Sequence, residues 1–403
     1  MTPYVERSLR RWYLWQLIGL VGAVFVNLFM VGGNSFDVGG MLLIMLVLGA
    51  VLPTFETQPL ATHWRRFRRF NHYFQTIVQF LSLPLLVANL ILMLSKVSFL
   101  DQQGLVAVGF ALLMVLFVPV AYVVTRPIES VLGRILMLIS VIFSGVLSAQ
   151  MTMLELPGLT APAVFKLVGN SGILGALGFV VTVGVLMRSW QFNWPTWRLQ
   201  PRVNWGQLAF IGILAGFFVI WNAYGVGSSW ATAFTTFDFH MKSVSWQLFL
   251  GGLEPGIAEE WLYRFAVLAL LLRAFKARKH QLEWAIFLSS GLFGAWHLTN
   301  ILSGQALSAT LEQMIFAAAL GCFLAVSYLY SGSLLVPIVI HALTDILSMM
   351  ASGSQTMTKP DLFEWETLAF LVLVFGLVTG YLLTGSRRRL MQSQVDNRLH
   401  LKA

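Results

Sequence analysis

The chain has 403 residues, of which 57% are hydrophobic and only 11% charged, and its mean hydropathy is +0.76. A soluble domain carries about 25% charged residues, so a soluble globular protein, a disordered chain and a nucleic-acid binder are excluded. The formal net charge of +9 then reads as Lys and Arg gathered on the cytoplasmic side of a membrane, and the single cysteine, Cys322, excludes an internal disulfide and any multi-cysteine metal or iron–sulfur centre.

A membrane-crossing helix needs about 20 apolar residues. In chain order such stretches are predicted at Tyr13–Gly33, Gly39–Phe55, Phe74–Leu94, Leu105–Thr125, Ile135–Leu154 and Ile173–Met187. They continue with Gln207–Gly227, Trp246–Leu272, Trp284–Gly304, Leu311–Gly332, Ser333–Ser352 and Thr367–Gly385. The predicted fold class is an all-α, polytopic transmembrane helix bundle of about twelve spans, with no room for a sizeable soluble domain. The first stretch follows a basic run but is too long for a signal-peptide core and lacks a small-x-small exit, so it reads as a retained anchor. Trp64–Phe70 interleaves Arg with aromatics and reads as a cytoplasmic loop on lipid headgroups rather than an RNA-binding segment. His63, His72, His280 and His400 fall in cytoplasmic segments with solvated or interfacial roles. The tail after Gly385 reads as an exposed, mobile basic segment at the anionic inner leaflet.

Charge orients the bundle. With the N-terminus in the cytoplasm, 21 of the 26 Lys and Arg fall in inside segments. Lys96, Lys166, Lys242 and Lys359 fall outside, and Arg264 lies within a span. This asymmetry predicts that both termini are cytoplasmic. No N-x-S/T acceptor occurs, and the basic inner loops suit a bacterial cytoplasmic membrane.

The first seven spans hold amides such as Gln75, Gln79 and Asn89, the usual glue between membrane helices, but no ionisable residue other than tyrosine. Ionisable groups begin abruptly after Trp246: Glu254, Glu259, Glu260 and Arg264, then His297, then His341 and Asp345. A charge at the bilayer centre costs at least about 2.5 kcal/mol, so such residues are functional candidates. Glu260 and Arg264 stand i,i+4 with the acid first, the favourable order for an ion pair. Phe293 and His297, and His341 and Asp345, share the same spacing. Glu259 points about 100° from Glu260, so it can face a cavity while its neighbour is neutralised. Gly251, Gly252, Pro255 and Gly256 predict a broken or kinked helix just before the acid pair, beside Glu254.

A buried carboxylate beside imidazoles is equipment for hydrolysis. The glutamate can take a proton from water, and the histidines can hold that water or donate to a tetrahedral oxyanion. Alternatively, two histidines and one or two carboxylates can bind Zn²⁺, which then activates the water. The metal candidates are Glu259, His297, His341 and Asp345, although no H-E-x-x-H motif is present.

Glu259-Glu260-Trp-Leu-Tyr-Arg264 fits E-E-x-x-x-R, Phe293-Gly-Ala-Trp-His297 fits F-x-x-x-H, and His341-Ala-Leu-Thr-Asp345 fits H-x-x-x-N/D. With Ser331-Gly-Ser-Leu-Leu-Val-Pro337 leading into His341, the chain resembles the CAAX-protease and bacteriocin-processing family (CPBP, or Abi) over about a quarter of its length. The resemblance implies an intramembrane endopeptidase acting on membrane-associated or lipidated proteins and peptides. It assigns Glu259 to water activation, His297 and His341 to positioning or oxyanion stabilisation, Asp345 to the third motif's polar position, and Glu260 and Arg264 to support. Prenyl proteases carry Asn where this chain has Asp345. Cofactor expectations are none or one divalent metal such as Zn²⁺. Expected partners are membrane lipids and a membrane-associated substrate, without nucleic acid. Competing functions are a proton-coupled secondary transporter, against which the absence of an internal repeat argues, and a non-catalytic membrane adaptor or immunity protein. The expected organisation is an N-terminal transmembrane region of unassigned role (1–245), a protease core (246–352), and a last helix with a basic tail (353–403).

Overall fold

A computed structural model describes residues 3–31, 36–55, 60–94, 101–154 and 163–399. Lys96, His400 and Lys402 lie outside them. The chain divides into two compact units, Met1–Gln191 and Phe192–Ala403. Among the described residues both are helical, and strand pairing is limited to isolated bridges, Thr196 with Ser333 and Gly225 with Phe237.

The first unit contains α1 (Pro3–Val31), α2 (Phe36–Phe55), α3 (Thr62–Leu94), α4 (Gln102–Val120), α5 (Val131–Leu154), α6 (Ala163–Asn170) and α7 (Ile173–Ser189). Amides tie these helices together as expected: Gln79 Nε2 donates to Tyr13 Oη and to Gln75 Oε1, both at 2.7 Å, and Gln75 Nε2 donates to the Met45 carbonyl. Two expectations are corrected here. Trp64–Phe70 is not a loop but the first turns of α3, with most of its side chains exposed. His72 is not solvated: it is buried, and its Nδ1 lies 2.9 Å from the Val124 carbonyl. Helix formation explains both, because winding the segment turns His72 inward while the arginines before it face out.

The second unit contains α8 (Trp205–Tyr224), α9 (Trp246–Glu260), a π-helical segment (Trp261–Val267), α10 (Leu268–Ala274) and α11 (Gln281–Trp296). A 3₁₀ segment (His297–Ser303), α12 (Leu307–Ser331), α13 (Leu335–Ser352), α14 (Leu362–Leu382) and α15 (Gly385–Arg398) follow. The glycines before the acid pair do not break the helix. Instead α9 runs through Pro255 to Glu260, and the irregularity comes after it, where the Leu268 N–H reaches back five residues to the Tyr263 carbonyl. What the glycines provide is proximity to α13. A Cβ on Gly252 would stand 2.6 Å from the Ile346 nitrogen, and one on Gly256 would stand 2.7 Å from the Ala342 Cβ.

The turn into α13 is clamped. Gly332 adopts φ +76°, a left-handed conformation that suits glycine. The Leu334 N–H donates to the Thr196 carbonyl at 3.0 Å, Ser333 Oγ to the Trp197 carbonyl at 2.8 Å, and the Gln200 N–H to the Ser331 carbonyl at 2.8 Å.

The basic tail is also corrected. Rather than an exposed, mobile segment, it forms α15, and Met391 and Val395 within it and Leu399 at its end are buried. Arg388 Nε lies 3.0 Å from Glu283 Oε1, and Gln392 Nε2 donates to Gln281 Oε1. The apolar residues at 391, 395 and 399 recur every four positions, a stripe that the surrounding polar residues mask in the composition.

Six described stretches are long and apolar enough to cross a membrane: Ala107–Thr125, Trp205–Tyr224, Gln281–Ser303, Leu307–Ser331, Leu335–Ser352 and Leu362–Leu382. The run from α9 to α10 carries Glu254, Glu259, Glu260 and Arg264, which lower its apolar character.

The close approach of α9 and α13 makes a prediction. Gly256→Ala should cost about 1–3 kcal/mol by overpacking, read as thermal unfolding in detergent. Gly291→Ala, where a Cβ meets nothing within 4 Å, should be neutral or slightly stabilising.

Candidate active site

Three elements of the second unit converge. The end of α9 and its π-helical continuation carry the acid pair and Arg264. The end of α11 carries Phe293 and Trp296 and passes into the 3₁₀ segment at His297. The middle of α13 carries His341 and Asp345.

Glu260 sits at the structural centre and is fully buried. Its Oε1 lies 2.9 Å from His341 Nδ1. A carboxylate oxygen only accepts, so Nδ1 carries the hydrogen and donates to it. The other oxygen, Oε2, lies 3.0 Å from Arg264 Nε in a buried ion pair. The guanidinium carbon stands 4.6 Å from the centre of the Phe293 ring, a cation–π arrangement that gives the cation a second favourable neighbour. Both Glu260 oxygens are therefore committed.

Glu259 differs. Its Oε1 accepts a hydrogen bond of 2.9 Å from Trp296 Nε1. Its Oε2 is buried with no hydrogen-bond partner and lies 3.8 Å from His341 Nε2. That gap is too long for a direct hydrogen bond, yet one water at about 2.8 Å from each atom would touch both. Asp345 Oδ2 is 3.4 Å from the same Nε2. Its side chain is 27% exposed against 0% for Glu260, so the cluster opens on the Asp345 side.

The second histidine joins through an aromatic. Phe293 is buried, and its ring stands edge-on to His297 and His341, with centroid separations of 5.3 and 5.5 Å. Tyr263 packs against the same ring, with centroids 5.2 Å apart. Glu254 lies within electrostatic reach of Glu259, His341 and Asp345.

The structure thus gathers Glu259, Glu260, Arg264, His341 and Asp345 in one contact network, with His297 beside it across Phe293. It does not assemble the metal candidates Glu259, His297, His341 and Asp345 into a ligand set. Among the described residues no group of three or more His, Cys, Asp or Glu side chains is arranged to hold a metal ion. One His341 nitrogen is already committed to Glu260, and one Glu259 oxygen to Trp296. Two of these contacts, Trp296 with Glu259 and Glu260 with His341, were not expected from the sequence, which paired Glu260 with Arg264. The available signal was that an indole N–H in an apolar span seeks an acceptor, and that Glu260 has a second oxygen to satisfy.

No curated protein and no solved structure matches the chain. Residues 241–347, which carry the acid pair and both histidines, match the family model of type II CAAX prenyl endopeptidase Rce1-like proteins, in agreement with the resemblance to the CAAX-protease family.

Proposed function

We propose that residues 246–352 form the core of an intramembrane endopeptidase that hydrolyses peptide bonds of membrane-associated or lipidated proteins by a glutamate-activated water. One observation carries this reading: of the four oxygens in the acid pair, Glu259 Oε2 alone has neither a hydrogen bond nor the 3.0 Å guanidinium contact that holds Glu260 Oε2, and it lies 3.8 Å from an imidazole nitrogen. In the proposed reaction Oε2 takes a proton from that water as its oxygen bonds to the scissile carbonyl carbon. The carbonyl becomes a tetrahedral oxyanion that accepts hydrogen bonds from His297 and from Nε2 of a doubly protonated His341, whose Nδ1–H stays on Glu260. Glu259 then returns the proton to the leaving amine, and the C–N bond breaks. Glu260 and Arg264 hold His341 in orientation, and Asp345 borders the open side where a substrate enters. No step is routed through a metal.

In this reading the chain crosses a membrane about twelve times with both termini in the cytoplasm, supported by the distribution of Lys and Arg. A bacterial cytoplasmic membrane is the proposed location, with membrane lipids and a lipidated or membrane-bound substrate as partners. Residues 1–245 form a transmembrane region ahead of the core, and 353–403 supply a last helix and α15.

The test uses purified protein and a farnesylated CAAX peptide carrying a fluorophore and quencher on either side of its cysteine. Glu259→Gln should lower kcat by about 10²–10⁴-fold while leaving thermal unfolding unchanged. An active Glu259→Gln enzyme, or a wild type that cleaves neither this peptide nor any membrane-derived peptide, overturns the reading. Arg264→Met leaves Glu260 a buried charge without its cation and should cost about 3–5 kcal/mol in thermal unfolding. Prolonged dialysis against chelators should leave the wild-type rate unchanged, because in this reading Glu259 and not a metal activates the water.

A further inference from the structure

Trp296 is the last residue of α11, and His297 begins the 3₁₀ segment. The two neighbours address opposite parts of the site. The imidazole of His297 lies against Phe293, while the indole of Trp296 reaches across to α9 and donates to Glu259 Oε1 at 2.9 Å. We infer that Trp296 is the positioning residue for the general base, pinning one oxygen of Glu259 so that the other faces the reacting water. This inference rests on the proposed hydrolytic role of Glu259 and deepens it.

The chemistry of the indole fits this task. A carboxylate on a flexible side chain can rotate and present either oxygen, and each reorientation moves the proton acceptor away from the substrate. A donor on one oxygen removes that freedom. The donor must not quench the base. Arg264 beside Glu260 shows the alternative, in which a cation takes up a carboxylate oxygen. Indole Nε1–H is neutral, donates only, and cannot accept a proton. It fixes the geometry of Glu259 and leaves its negative charge available. The two glutamates of one motif are thereby divided: Glu260 is bound by a cation and an imidazole, Glu259 by a neutral donor on one side only.

The experiment replaces Trp296 with β-(3-benzothienyl)alanine, which keeps the bicyclic shape and exchanges the N–H for sulfur, and in parallel with Phe. The farnesylated CAAX peptide is the probe. Loss of the donor should lower kcat by about tenfold or more with KM unchanged, at the melting temperature of wild type for the benzothienyl variant. In a Glu259→Asp background, where the shortened carboxylate no longer meets the indole, removing the donor should add little further loss. Wild-type kcat in the benzothienyl variant, with Glu259→Gln inactive, overturns the role of Trp296 and leaves the hydrolytic reading standing. Equal losses in the Glu259 and Glu259→Asp backgrounds also overturn it, because they mark a packing effect. Full activity of Glu259→Gln overturns the hydrolytic reading itself. Should the Phe variant fail to fold, the benzothienyl variant alone decides.

Discussion

The shared carboxylate of Glu260 is the interaction on which the site depends. It holds Arg264 from its own helical run and His341 from α13, both away from water. Removing either partner would leave an uncompensated group in an apolar interior, where the penalty reaches several kcal/mol. Burial therefore makes the arrangement self-enforcing. Arg264 needs Glu260, Glu260 is fixed by Arg264, and the remaining Glu260 oxygen dictates which His341 nitrogen is left to face Glu259.

Backbone geometry permits this. Gly252 and Gly256 let α9 approach α13 at backbone distance, which brings short side chains such as Glu and His into contact across the interface. Directly after Glu260 the chain shifts to π-helical bonding through Trp261–Val267. That stretch brings both Arg264 and Tyr263 against the Phe293 ring. Phe293 thus touches Arg264, Tyr263, His297 and His341, and is the hub on which both histidines rest. Polar groups that would repel one another across a void are separated by one aromatic ring.

Much of this was readable from the sequence, and the failures have physical causes. The three motifs and their spacing predicted which residues would meet, because ionisable groups in an apolar chain have few tolerable destinations. The i,i+4 offset predicted the Glu260–Arg264 pair and the Phe293–His297 contact, both local. The Glu260–His341 and Trp296–Glu259 bonds join residues far apart in sequence and depend on helix packing that no local pattern encodes. The glycines near Glu254 were misread because a glycine in a helix signals either a kink or close packing, and only the neighbour decides. His72 and α15 were misread for a shared reason. Charged flanks dominate a composition window, yet a single buried face sets where a helix docks. The π-helical segment Trp261–Val267 had no sequence signal at all.

The clamp around Gly332 has a bearing on where this fold begins. His341 lies two turns into α13, and the start of α13 is registered by Thr196, Trp197 and Gln200. Those three residues precede by about 40 positions the stretch that matches the Rce1-like family. The borders of family likeness and the borders of the cooperative structure are therefore different borders. A fragment trimmed to the recognisable motifs would keep every reactive side chain and discard the strap that sets the height of one imidazole.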